Sequence, residues 1–144
     1  MNPDMETVVR TVIAGSPLGK LLGLEVELVE PDQVRLRLPY RCDVTTLGDL
    51  VHGGAISALV DTAATAAAWT RADLGRNSRG TTVTLTINFL NGARGRDVVA
   101  TAKVLQRGRS LLVCDVEAHD TEGLAVARAL VTYKLDHRDP AATT

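Results

Sequence analysis

Chemistry in this chain concentrates in one run, "LGDLVHGGAISALVDTAATAAAW", residues 47–69. It holds one imidazole, His52, two adjacent glycines, Gly53 and Gly54, and one ionisable group in the apolar stretch that follows, Asp61. A helix starting at the glycines leaves its first amide hydrogens without internal acceptors, and its dipole favours negative charge there. Amides around Gly53 and Gly54 then suit a developing oxyanion. The bland alternative for the glycines is a tight turn, and for His52 a local hydrogen bond.

Asp61 admits two readings from spacing. Ile56, Leu59, Val60, Ala63, Ala66 and Ala67 form a broad apolar face, with Asp61 nearly opposite and Ser57 and Thr65 one turn either side. It is either the solvent face of an amphipathic helix or a semi-buried carboxylate. Ala58, Ala64 and Ala68 beside it favour the second, because an exposed face would usually gather Glu, Lys and Arg. Burial disfavours a charged carboxylate, so such a group either gathers hydrogen-bond donors or shifts its pKa. Both outcomes suit a base or a nucleophile.

Other chemistries find little support. Neither Ser57 nor Ser110 stands in a G-x-S-x-G turn, and nucleotide-binding glycine motifs are absent. His52, His119 and His137, with Cys42 and Cys114, offer no metal-ligand spacing, so no metal and no cofactor is expected. Two isolated cysteines fit ordinary thiols. Sixteen basic against seventeen acidic residues, a net charge of -1, give no basic block for nucleic acid. No run reaches the roughly 18 apolar residues of a membrane span. The opening "MNPDMETVVRTVIAG" lacks the features of a secretory signal, so a cytoplasmic protein is expected.

The elements that must position these residues follow from periodicity. One domain over 1–144 is expected, with its core at about 18–135 and a frayed tail at 136–144. Val8, Val9, Val12 and Ile13 predict a packing helix over 4–14, and "GSPLGKLLG" a break and a short resumption. Strands are predicted at 24–30 and 33–38, joined by "EPD". From Gly80 the period becomes two, with Val83, Leu85, Ile87 and Phe89 on one face and Thr82, Thr84, Thr86 and Asn88 on the other. Further strands are predicted near 97–107, 110–119 and 124–135. The order implies an α+β domain, a mostly antiparallel sheet around one principal helix.

The whole pattern resembles the hotdog-fold acyl-CoA thioesterases of the phenylacetic-acid-degradation (PaaI-like) group, within the 4-hydroxybenzoyl-CoA thioesterase superfamily. The resemblance covers roughly 18–135, including "TTVTLTINFLNGARG" and "QRGRSLLVCDVEAHDTEG". It implies a six-stranded sheet around one long central helix, with an additional N-terminal helix. It also implies a homodimer with sites between subunits, dimers that commonly pair again into tetramers, and acyl-CoA as substrate. His52 matches the histidine that helps hold the loop and thioester region, and Gly53 the amide that polarises the carbonyl. Asp61 matches the nucleophile or general base, reaching a substrate held largely by the other subunit, and Thr82 a hydroxyl that orients water or the carboxylate. Where the family often has Asn, this chain has Thr46, a departure that favours a non-catalytic acyl-CoA or acyl-ligand binder as the alternative. Asp49, in the same loop, either partly compensates or stabilises the turn. A related hydratase would need a differently arranged motif. Arg107 and Arg109, or Arg94 and Arg96, are candidates for the CoA phosphates, though each pair also fits the solvated face of a turn.

Overall fold

The computed structural model describes residues 2–137. Its centre is α3, Gly53–Trp69, lying across a six-stranded sheet. Alanine is the strongest helix former, and its small side chain lets a helix lie close to strands. Ala63, Ala64, Ala66, Ala67 and Ala68 are all 0% exposed, packed with Ile56, Leu59 and Val60. Ala64 and Ala68 are therefore enclosed although they flank Asp61, which is itself half-buried.

Before α3 come α1 (Pro3–Val8), running into a π-helical turn at Val9–Ile13, and α2 (Pro17–Leu22). The single helix expected over 4–14 is thus α-helical only to Val8. Ser16 caps α2 by accepting from the Gly19 amide, so the resumption after "GS" is a separate helix. The sheet comprises β1 (Glu25–Glu30), β2 (Gln33–Leu38), β5 (Arg79–Phe89), β6 (Val98–Arg107), β7 (Leu111–Asp120) and β8 (Ala125–Asp136). Its order is β1-β2-β6-β7-β8-β5, and every neighbouring pair is antiparallel. Of the tail expected over 136–144, Asp136 closes β8 and 138–144 lie outside the described residues. A small hairpin of β3 (Thr45–Leu47) and β4 (Leu50–Val51), which periodicity does not predict, precedes α3.

Both ends of α3 are fixed by side chains. At its C-terminus Thr70, 1% exposed, donates to the Ala67 carbonyl at 2.7 Å and accepts from the Asp32 amide at 2.9 Å. Arg107 donates to the Ala68 carbonyl at 3.1 Å and to Asp32 at 2.8 Å, satisfying a carbonyl the helix cannot. The β1–β2 turn and the end of β6 thereby clamp the helix to the sheet.

On β5 the structure corrects the strict alternation. Register slips between Thr82 and Thr84, placing Thr82 opposite buried Tyr133 and Leu85 opposite buried Val131. One extra residue reverses the facing of everything before it. Thr82 therefore faces inward with Leu85 and Ile87, while Val83 is 51% exposed.

Candidate active site

His52 is the N-cap of α3, with φ −64° and ψ 132°. Its amide donates to the Val44 carbonyl at 2.8 Å, and its Nδ1 accepts from the Gly54 amide at 2.7 Å. The imidazole thus takes up one of the orphan amides of the first turn, the role usually filled by Ser, Thr, Asn or Asp. Of the two glycine amides expected to be open, only Gly53 remains without a protein acceptor among the described residues. It borders a cleft of about 270 Å³ lined by Thr46, Leu50, Ile56, Phe89 and Asn91 among others. A Cβ on Gly53 would stand 3.3 Å from the Phe89 ring, so glycine lets that ring close on the helix mouth.

Asp61 opens on a different cleft. The Thr82 hydroxyl donates to Asp61 Oδ1 at 2.7 Å, a contact the inward turn of β5 makes possible. The cleft, about 330 Å³, runs past Asp61, Thr65, Trp69 and Tyr133, with Val12 and Ile13 on its far wall. Trp69 Nε1 donates to the Tyr133 hydroxyl at 2.8 Å. Burial pushes the Tyr133 phenol above its ordinary range and the negative charge of Asp61 adds to that, against the opposing effect of the Trp69 bond.

The named residues therefore fall into two groups within one chain. Thr46 joins Gly53, and Thr82 joins Asp61. Eight residues at 1.5 Å rise separate Gly53 from Asp61 by about 12 Å along the axis. The His52 ring faces a third cleft, bordered by Leu18, Leu22, Asp43 and Ala58.

Residues 48–127 match the thioesterase superfamily. The chain belongs to that superfamily. It is 30% identical over 132 residues to the medium/long-chain acyl-CoA thioesterase YigI of Escherichia coli, covering 81% of this chain and 84% of the relative. The crystal structure of a thioesterase family protein from Silicibacter pomeroyi superposes with a TM-score of 0.85 at 28% identity, covering 92% of this chain and 98% of that one. A hypothetical thioesterase from Streptococcus pneumoniae, solved with coenzyme A, shares the fold at TM-score 0.71 and 21% identity, over 81% of this chain and 88% of that one. With six antiparallel strands around α3 and helices at the N-terminus, the architecture is the hotdog fold.

Within this thioesterase fold, three of the four arginines named from sequence are occupied by carboxylates. Arg107 holds Asp32, Arg94 approaches Asp49 at 3.3 Å, and Arg96 lies 3.1 Å from Glu122. Arg109 is exposed and has no ion-pair partner among the described residues. Asp49 thus contributes to its own loop, accepting from Arg94 while its carbonyl accepts from the Gly95 amide. Two groups of residues escaped the sequence reading. Asn91 borders the Gly53 cleft and donates through Nδ2 to the Ala125 carbonyl at 2.9 Å; its place in "FLNG", where the alternation stops, was the available signal. Trp69 and Tyr133 are 64 residues apart, and no local pattern announces their bond. Among the described residues no group of three or more His, Cys, Asp or Glu is arranged to hold a metal ion, and no helix is long and apolar enough to cross a membrane.

Proposed function

We propose that the protein hydrolyses acyl-CoA thioesters at sites shared between two copies of the chain. The observation that carries this reading is the separation of the Gly53 amide from the Asp61–Thr82 pair on two clefts of one helix. Each cleft holds half of what thioester cleavage needs, and a second copy supplies the other half. The edge strand β5 supports the pairing. It is 11 residues long, bonded among the described residues to β8 on one side alone, and carries Val83 and Phe89 at 51% and 53% exposure. Such an edge is a template for another strand.

In the reaction, the Gly53 amide and the α3 dipole polarise the thioester carbonyl and receive the oxyanion as the carbon becomes tetrahedral. Asp61 of the partner chain acts as general base on water, or attacks directly to form an anhydride that water then opens. The Thr82 hydroxyl holds Oδ1 and leaves Oδ2 for the reacting oxygen. Collapse breaks the C–S bond, and the proton taken from water returns to the CoA sulfur. No resident cofactor enters, and CoA leaves as product. The acyl class is aryl, short or medium chain, and the similarity to YigI supports the medium range. Arg109, exposed and without an ion-pair partner among the described residues, is the arginine free to meet the CoA phosphates, with Arg94, Arg96 and Arg107 first having to release a carboxylate. Where Thr46 replaces an amide, Asn91 brings one to the same cleft. The reading also takes the protein as cytoplasmic, PaaI-like, and dimeric or a dimer of dimers.

The test is complementation. Gly53→Pro removes one N–H at the first helical position, where the backbone accepts proline once the Phe89 ring shifts by a few tenths of an ångström, and Asp61→Asn removes the base. Each alone is expected to lose at least a hundredfold in CoA release across an acyl-CoA panel. Mixed one to one, they form hybrid dimers with one intact site, and about a quarter of native activity returns. Mixtures as inactive as their components would refute the shared site; native-like turnover by Asp61→Asn would refute the role of Asp61.

A further inference from the structure

Tyr133 is 4% exposed, yet it borders the Asp61 cleft. An indole N–H can only donate, so the bond from Trp69 fixes the tyrosine oxygen as acceptor there. The phenolic proton must point elsewhere, and it meets no acceptor among the described residues. Asp61 does not take it: the two side chains share the cleft without a hydrogen bond, and Asp61 Oδ1 already receives Thr82. Buried polar groups as a rule find partners. The position is also built with care, because any Cβ at Gly80 would strike the tyrosine ring.

The cleft has a direction. Asp61, Thr65 and Trp69 stand on successive turns of α3, so it leads from the carboxylate past Thr65 to the Trp69–Tyr133 pair, with Tyr133 across the ladder from Thr82. Its opposite wall is mostly apolar, from Val8, Val12 and Ile13, with Ser16 beside them. A ligand that fits has its reacting carbonyl at Asp61, an apolar body against that wall, and an acceptor at the far end. We propose that Tyr133 is a specificity-determining residue whose hydroxyl donates to an oxygen on the acyl group, remote from the thioester carbonyl. Oxygenated acyl-CoAs are then preferred over plain chains of equal length. A tyrosine phenol at its ordinary pKa is already protonated, and so a donor, at neutral pH, and burial with the Asp61 charge moves it further that way.

This rests on the acyl-CoA hydrolase reading, and the test separates the two. Turnover of hexanoyl-CoA against 5-oxohexanoyl-CoA, and of octanoyl-CoA against 7-oxooctanoyl-CoA, is compared in native protein, Tyr133→Phe and Trp69→Phe. One neutral hydrogen bond corresponds to a preference of up to about tenfold in kcat/KM. Native protein is expected to prefer an oxo substrate by that factor, Tyr133→Phe to lose the preference, and Trp69→Phe, which keeps the hydroxyl, to retain it. Equal losses on both members of a pair in Tyr133→Phe would mark the tyrosine as structural and overturn the proposal, as would no native preference. If native protein cleaves none of the four and no member of the aryl-, short- and medium-chain acyl-CoA panel, the hydrolase reading fails. Affinity for the thioether analogues hexyl-CoA and 5-oxohexyl-CoA then decides the role of Tyr133 by the same ratio.

Discussion

Replacing Gly80 with alanine tests how tightly the end of the Asp61 cleft is built. A Cβ there would stand 2.5 and 2.6 Å from Tyr133 Cε1 and Cζ, closer than real carbon contacts come. The glycine lies in β5 opposite Leu135, so the backbone cannot retreat without breaking the ladder. Tyr133 must move instead. Overpacking of this kind costs about 1–3 kcal/mol. Loss of the 2.8 Å bond from Trp69 adds about 1 kcal/mol, the lower end for an unpaired donor, since the indole is partly exposed and water reaches it. The sum is about 2–4 kcal/mol, or roughly 5–15 °C in Tm for a chain of this length. Urea unfolding at fixed protein concentration measures it, for Gly80→Ala, Tyr133→Leu and the double variant. With leucine at 133 the obstacle is gone, and alanine at 80 should then cost less than about 0.5 kcal/mol, since replacing glycine in a strand is itself mildly favourable. An alanine penalty that is the same in both backgrounds would refute the close approach as its cause.

Three further outcomes follow from the caps and clamps of α3. His52→Ala should cost about 1 kcal/mol in urea unfolding by releasing the Gly54 amide, and His52→Asn, which can accept the same bond, should recover most of it. Arg107→Leu should cost about 1–3 kcal/mol by leaving the Ala68 carbonyl bare and Asp32 with Arg71 alone, a loss visible in Tm without any CoA present. Burial tends to raise the Asp32 pKa, but the hydrogen bonds from Arg107 and Arg71 outweigh it and hold the carboxyl below its ordinary range. Its contribution is therefore fully present above the unfolded value near 4 and fades as pH falls through the lowered folded one. The stability gap between native protein and Asp32→Asn should accordingly be flat from about pH 5 to 7 and close below about pH 4.

The helix and the six strands were legible because each has a simple period and a clear edge. Ala63 to Ala68 announce a helix pressed on a sheet, and the lone Asp61 marks the face where that pressing is incomplete. What defeated local reading was register and distance. The slip at Thr82–Thr84 inverts the faces of β5, and nothing in "TTVTLTINF" marks it, since threonine and valine suit either side of a strand. The two glycine amides looked equivalent in sequence; in the fold the neighbouring imidazole turns back on the second. The Arg107 guanidinium was legible as a cation on a turn, whereas its commitment to Asp32 and to a helix end depends on chain brought from 75 and 39 residues away.

The two cysteines differ in a way that governs how the enzymology must be read. Cys42 is exposed, whereas Cys114 is buried with its Sγ 3.7 Å from the Ala64 carbonyl, and burial pushes its thiol up to about 11. Thiolates are the reactive form, so a disulfide reagent in native buffer meets one cysteine per chain. Colorimetric detection of released CoA will show an early rise of one equivalent that owes nothing to turnover, and Cys42→Ser removes it. The second equivalent emerges when the sheet opens around Cys114, so the same dye becomes a clock for unfolding.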